Sequence, residues 1–214
     1  LADEDFQMGG RLNSETYDVS GETGANFVGE ALVELGSIDN VQLMPRTTVY
    51  GVYDHGIYGA LERKTDHLPS SSDGPRQVLW RVYAKRAILC AGATERPIAF
   101  GNNDRPGVML AGAVRAYVNR WGVEPGKKVA VFTNNDDGWR TATDLTSKGV
   151  EISAVIDSRG GTPPVKLGGA RIVMGGRVVD TKGRHGIRSL ILANGEQISA
   201  DCLAVSGGWN PNVY

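Results

Sequence analysis

Cysteine is scarce in this chain: there are two, Cys90 and Cys202, far apart and each inside an apolar, strand-like run. No C-x-x-C is present, which argues against a dithiol reductase, and both thiols read as buried core residues in a reducing cytoplasm. Only three histidines occur, His55, His67 and His185, with no metal-ligand spacing and no paired cysteine. Each reads as a surface or turn residue, and no metal site is expected. No apolar run approaches the roughly 18 residues of a membrane span, and no basic-then-apolar leader opens the chain, so no membrane partner is expected. Lys and Arg number 23 against 24 Asp and Glu, without a long basic block, which leaves no electrostatic footprint for nucleic acid. Finally, no G-x-G-x-x-G occurs anywhere. What is there is a chain of 214 residues, 41% hydrophobic, long enough to bury a substantial core in one or two α/β domains.

The clearest unit is Lys127 to Arg159. Lys128-Val129-Ala130-Val131-Phe132 is too short and too β-branched for a helix and suits a strand buried on both faces. A polar turn, Thr133 to Gly138, leads to a helix from Trp139 to Lys148, where Trp139, Ala142 and Leu145 share a face before Gly149. A second apolar strand, Glu151 to Ile156, ends on Asp157. In a dinucleotide-binding βαβ unit the turn reads G-x-G-x-x-G and an acid about 20 positions on takes the ribose hydroxyls. Asp157 stands at that spacing, but Thr133, Asn135 and Gly138 occupy the glycine positions, and only the third is kept. The unit reads as a Rossmann half that has lost its nucleotide, with weak or altered binding as the alternative. Asp136 and Asp137 read as caps of the helix beginning near Gly138 rather than as a metal or acid/base pair.

Taken in order, Leu1 to Glu4 reads as the end of a strand carrying an acid, followed by a turn through Gly9-Gly10. If that strand is the second of a βαβ unit, the first strand and its glycine-rich turn lie upstream, and the chain is expected to be a fragment. Asn26 to Leu35 has Phe27, Ala31 and Leu35 at helical spacing. Val41 to Met44, Thr47 to Tyr53, Ile57 to Glu62 and Gln77 to Tyr83 read as strands, the last three in a small antiparallel layer, with Leu68 to Pro75 an exposed loop. Ala87 to Ala91 reads as another strand buried on both faces, stopped by Gly92. A hairpin feeding an apolar strand recurs at Val78–Gly92 and Arg188–Gly208, a weak internal echo that favours a duplication. Arg96 and Arg105 meet a phosphate or pair with Glu95 and Asp104; the residues alone leave both open.

Cys90-Ala91-Gly92-Ala93-Thr94-Glu95-Arg96-Pro97, then Arg105-Pro106-Gly107-Val108-Met109 and a helix from Ala111 to Trp121, resembles the segment that links the cofactor domains of two-dinucleotide-domain, disulfide-reductase-like flavoproteins. Gly9-Gly10 after an acidic strand end, Tyr58 to Arg63, the Thr133-Asn134-Asn135 turn and the ending Val205 to Pro211 narrow the resemblance to alpha subunits of heterotetrameric sarcosine oxidases. That resemblance implies NAD as cofactor, with FAD as an alternative at the same site. Asp3 is then the acid for the adenosine ribose, with Glu4 a less favoured substitute, ahead of the Gly9-Gly10 turn. Thr48 and Val49 lie near the adenine, Gly92, Ala93 and Thr94 edge the cofactor, and Ser206, Gly207 and Gly208 close the nicotinamide end. It further implies FMN, FAD and tetrahydrofolate elsewhere in a complex, other oxidase subunits as partners, an amine as substrate and a cytoplasmic location. No catalytic residue is assigned in this chain.

The expected fold is α/β: two Rossmann-like lobes with a small antiparallel layer, the first lobe truncated at its N-terminus. Residues 1–123 and 206–214 make the first lobe and 124–205 the second, inserted one. Dinucleotide binding within an amine-oxidising oxidoreductase is the expected function; a non-catalytic scaffold with a structural nucleotide, an NAD(P)H-dependent flavin reductase and a subunit of another amine dehydrogenase are the alternatives.

Overall fold

A computed structural model describes residues 1–69 and 74–213, so the expected loop Leu68 to Pro75 lies partly outside the described residues. The chain forms two compact units, Leu1–Cys90 and Ala91–Tyr214.

In the first unit Leu1 to Asp3 runs parallel to Gln42 to Met44. Leu1 N donates to the Gln42 carbonyl (2.8 Å), Met44 N to that of Leu1 (2.8 Å) and Asp3 N to that of Met44 (3.0 Å). The strand expected at Val41 to Met44 is thus reduced to a single bridge, Ala2 to Met44, because the partner is three residues long and Pro45 has no N–H to extend the ladder. A one-turn helix, Gly10–Asn13, and a small hairpin, β1 (Asp18–Val19) with β2 (Glu22–Thr23), precede α1 (Gly24–Gly36). The Thr23 hydroxyl caps α1 by accepting from Asn26 N at 3.3 Å. β3 (Thr47–Tyr53), β4 (Ile57–Arg63) and β5 (Gln77–Tyr83) form the expected antiparallel sheet. Gly59 has a packing reason: a Cβ there would lie 2.8 Å from the Tyr50 hydroxyl. Buried Glu62 accepts from Trp80 Nε1 at 2.8 Å and pairs with Lys64 at 2.6 Å. The Lys64 hydrogen bond holds its carboxyl below the ordinary carboxylate range against the opposing effect of burial.

The run Ala87 to Ala91 corrects two expectations. It forms no strand, Ile88 is 90% exposed, and Cys90 is exposed. The physical reason is that a strand exists only through its ladder, and no strand among the described residues offers this run one.

The second unit begins with a ribbon, β6 (Ala93–Glu95), whose antiparallel partner comes at the far end of the unit. Then follow β7 (Val108–Leu110), α2 (Ala111–Trp121), β8 (Lys128–Thr133), α3 (Asp136–Ser147), β9 (Glu151–Asp157), β10 (Arg171–Met174), β11 (Val178–Lys182), β12 (Ser189–Leu192), β13 (Gln197–Ser199), β14 (Cys202–Ser206) and β15 (Trp209–Pro211). Five strands make a parallel sheet in the order β10-β9-β8-β14-β7. The β8 run is buried on both faces as its composition requires. Val129 and Val131 pack with Val114 of α2 and with Trp139, Ala142 and Leu145 of α3. Ala130 and Phe132 pack with Leu190, Leu192 and Ile198 of the antiparallel β11-β12-β13 sheet. The unit therefore has helices on one face of its parallel sheet and a small sheet on the other; each fully buried Val or Phe contributes roughly 2 kcal/mol. β7 and α2 belong to this layer although they precede Glu124, where the second lobe was expected to begin, because β14 pairs with both β7 and β8. No helix among the described residues is long and apolar enough to cross a membrane.

Candidate functional site

In the first unit the chain turns sharply after Asp3. The Asp3 carbonyl accepts from Thr47 N (2.8 Å) and the Asp5 carbonyl from Arg46 N (2.8 Å), which fixes the turn against the start of β3. Asp3 is half-buried; its Oδ1 accepts from Asp5 N at 2.9 Å, and its Oδ2 accepts nothing among the described residues. Glu4 is exposed, and its backbone carbonyl accepts from Arg63. Gly9 has φ +129°, and a Cβ would lie 2.9 Å from Val28 of α1, so only glycine fits. Gly10, also at positive φ, faces open space. Thr48, next to the Thr47 that holds Asp3, is half-buried, and Val49 is exposed. The structure thus brings Asp3 to the start of β3, beside Thr47 and Thr48, while Gly9 packs against α1. A half-buried carboxylate with one oxygen free can accept hydroxyl hydrogens, as a ribose diol would offer.

In the second unit, β6 pairs with β15, Ala93 opposite Pro211 and Thr94 opposite Asn210. Asn212 holds the ribbon's start: its N donates to the Gly92 carbonyl (2.9 Å) and its Nδ2 to that of Ala91 (3.0 Å), while Thr94 Oγ1 donates to Asn212 Oδ1 (2.9 Å). Gly92 is exposed, with φ +68° and nothing within 4 Å of a Cβ. Ser206 and Gly207, in contrast, are buried, and a Cβ on Gly207 would lie 2.6 Å from the Arg96 carbonyl. Gly208 is half-buried beside the Arg96 guanidinium. Among the described residues neither arginine takes the neighbouring acid that was one of its two open alternatives: Arg96 donates to the Gly207 carbonyl and Arg105 to that of Thr181.

The turn between β8 and α3 is filled by its own side chains. Asn135, not an aspartate, is the N-cap, and α3 begins at Asp136, earlier than expected. Thr133 Oγ1 donates to the Asn135 carbonyl (2.9 Å), and Asn135 Nδ2 to the Ser206 carbonyl (3.0 Å). Gly138 is required: a Cβ would sit 2.4 Å from Thr133 Cβ. Asp157 is fully buried. Trp139 Nε1 donates to its Oδ2 (2.7 Å), and Arg159 donates to it through backbone and guanidinium. Burial would raise the Asp157 carboxyl, but the bonds from Arg159 and Trp139 outweigh it and hold the group below the ordinary range.

Sequence reasoning missed a buried charge network. Arg115, 2% exposed, donates to Asp137 Oδ1 (3.0 Å) and to Asp144 Oδ2 (3.1 Å), joining α2 to α3. Trp209 Nε1 donates to Asp137 Oδ2 at 3.0 Å, and Gly112 N donates to Glu95 Oε2 at 2.7 Å, so both ribbon strands are tied to helix N-termini. The local signal was Arg115 itself, a charge within the apolar first two turns of α2.

No protein-family model matches the chain. It is 43% identical over its whole length to sarcosine oxidase subunit alpha of Rhizobium meliloti (strain 1021) and 37% to that of Corynebacterium sp. (strain P-1). The chain spans about a quarter or less of these relatives, 22% and 24% respectively. Among solved structures it is similar to L-proline dehydrogenase from P. horikoshii, with TM-score 0.76 and 22% identity, covering 99% of this chain and 37% of that one. It is also similar to an NAD-dependent persulfide reductase from A. fulgidus, with TM-score 0.61 and 16% identity, covering 84% of this chain and 34% of that one. Over its full length, the chain is related to a segment of the sarcosine oxidase alpha subunits, carried on the Rossmann-like α/β fold of disulfide-reductase-like oxidoreductases.

Proposed function

We propose that this chain is the dinucleotide-binding part of an oxidoreductase subunit that works in oxidative demethylation of a secondary amine such as sarcosine. The observation that carries the reading is Asp3: an acid beside the Ala2–Met44 bridge, fixed by backbone bonds to Met44 and Thr47, half-buried and with Oδ2 free among the described residues. Asp3 accepts the ribose hydroxyls, Gly9 and Gly10 let the chain turn beside it, and Thr48 and Val49 flank the adenine. NAD is the proposed ligand, supported by the relationship to the alpha subunits; FAD presents the same adenosine diphosphate. Taken by itself, the second unit leaves Gly92 and Thr94 exposed and Ala93 and Gly208 half-buried, whereas Ser206 and Gly207 are buried. When bound, NAD supplies a hydride acceptor; this chain's residues hold and orient it. Other oxidase subunits carrying FMN and FAD, a folate-handling domain and a cytoplasmic setting complete the reading.

The test is to purify protein from the complete reading frame, release its ligand with acid and identify it by mass spectrometry. NAD is expected, and Asp3→Ala should cut retention at least tenfold, the loss of about 1.4 kcal/mol or more of charge-assisted hydrogen bonding. FAD would mean an ordinary flavin domain. A second reading, a scaffold whose nucleotide is structural, is favoured by the filled turn at Thr133 to Gly138; loss of nucleotide without loss of turnover in Asp3→Ala would select it.

A further inference from the structure

A turn that holds a pyrophosphate aims its backbone N–H groups outward at the anion and keeps glycines where phosphate meets the chain. The β8–α3 turn has spent these groups internally. Asn134 N donates to the Ser206 carbonyl (3.3 Å), Asn135 N to Thr133 Oγ1 (3.1 Å) and Asp137 N to Asn135 Oδ1 (2.9 Å). The Asn135 side chain lies across the turn, its Nδ2 within 3.0 Å of the Ser206 carbonyl and 3.3 Å of Ser206 Oγ. Ribose recognition is closed as well: Asp157 is wholly buried, and both its oxygens are bonded by Trp139 and Arg159. At the helix start the Asp137 carboxylate is held between Arg115, on Oδ1, and Trp209, on Oδ2, each at 3.0 Å.

We propose that this turn is closed to dinucleotides and has become an anchor, in which the Asp137 carboxylate holds the β6–β15 ribbon through Trp209 and α2 through Arg115. Asp137 is a positioning residue: it touches no ligand and acts on the ribbon. Gly112 supports the same joint, since a Cβ there would lie 3.2 Å from the Trp209 ring. A Rossmann half can thus keep its architecture after losing its ligand, because the former ligand position is bonded to neighbouring elements by the chain itself. The inference stands apart from the nucleotide reading of the Asp3 turn.

Hydrogen exchange with mass readout tests it on protein from the complete reading frame, freed of ligand and then supplied with millimolar NADH or NADPH. No added protection is expected at the amides of Asn134 to Ala142, wherever else protection arises. Protection there with either nucleotide overturns the closure. A protein that binds neither nucleotide anywhere would sink the reading of the Asp3 turn and leave the closure standing. Trp209→Phe removes the N–H donor together with the outer ring atoms that lie over Gly112. It should speed exchange at Arg96 and Asn212, whose N–H groups bond the Gly208 and Gly92 carbonyls, by about tenfold while leaving β8 unchanged. Unchanged exchange in the ribbon overturns the anchor. Should that variant fail to fold, the wild-type footprint still decides the closure, and Asp137→Asn, which keeps one acceptor, repeats the ribbon measurement.

Discussion

Two acids in this chain close extended runs, Asp3 after the Ala2–Met44 bridge and Asp157 at the end of β9, and they have opposite fates. Asp3 is half-buried, its Oδ1 bonded to Asp5 N and its Oδ2 without a partner among the described residues. Asp157 is fully buried, with bonds from an indole, a guanidinium and a backbone N–H. An aspartate that closes an extended run is therefore left with a free oxygen or wholly bonded, and its neighbours decide which. Trp139 sits one turn into α3 and Arg159 two residues beyond the strand; the first unit offers Asp3 neither.

Substitutions can break that contrast. The largest expected effect is Arg115→Leu, which would leave Asp137 and Asp144 without their buried cation and destabilise the second unit by roughly 3–5 kcal/mol. Native-state hydrogen exchange of α2 and α3 reads this, and unchanged exchange would show that the network contributes nothing. Gly138→Ala comes next, costing about 1–3 kcal/mol because the new methyl meets Thr133 Cβ at 2.4 Å. Gly10→Ala in the other turn should cost only about 1 kcal/mol, from its positive φ alone. Equal losses would erase the distinction between a filled turn and an open one.

Acid sharpens the comparison. The folded-state pKa of Asp157 is depressed, so its contribution is fully present above the ordinary aspartate value near 4 and is lost as pH falls below it. Protection of the β9 amides, taken relative to the intrinsic exchange rate at each pH, should fall as pH drops below about 4 in the wild type. Asp157→Asn should be weakened already at neutral pH and show a flatter acid limb; an unchanged limb would reassign the acid sensitivity elsewhere. The smallest effect concerns thiols. Exposed Cys90 should react with a maleimide within minutes at neutral pH, while Cys202, pushed up to about 12 by burial and then by Asp201, should stay unlabelled until the unit unfolds. Cys90→Ser should abolish the fast phase.

Much of the second unit was legible because its signals are local. The β8 run alternates between two apolar faces within a few residues, Gly138 lies at helix-packing distance, and the strand expected at Glu151 to Ile156 differs from β9 by a single residue. The three antiparallel strands of the first unit were legible for the same reason. What escaped were features made by distant partners. Asp137 meets Trp209 across 72 positions and Arg115 across 22, and nothing in the spacing of either residue announces the bond. Ala87 to Ala91 failed in the opposite direction: its composition suits a buried strand, but strand formation depends on a neighbour that composition does not describe. At the candidate site, Asp3 and Gly9 were readable as an acid followed by a flexible turn, whereas the burial of Ser206 depends on Asn135, 71 residues earlier.

The sheet order has a consequence for synthesis. β14 lies between β7 and β8, yet it is the last of the five strands to be made. A growing chain therefore carries β7 with α2, and β8 with α3, β9 and β10, before the strand that unites them exists. Two parallel edges stay without their shared partner over some seventy residues of elongation, open to mispairing with each other or with another nascent chain. Native closure waits for residues far downstream, a pairing of high sequence separation that forms slowly. Chains released after Asp201 should accordingly be cut by protease in β7 and β8, and released chains that include all of β14 should resist.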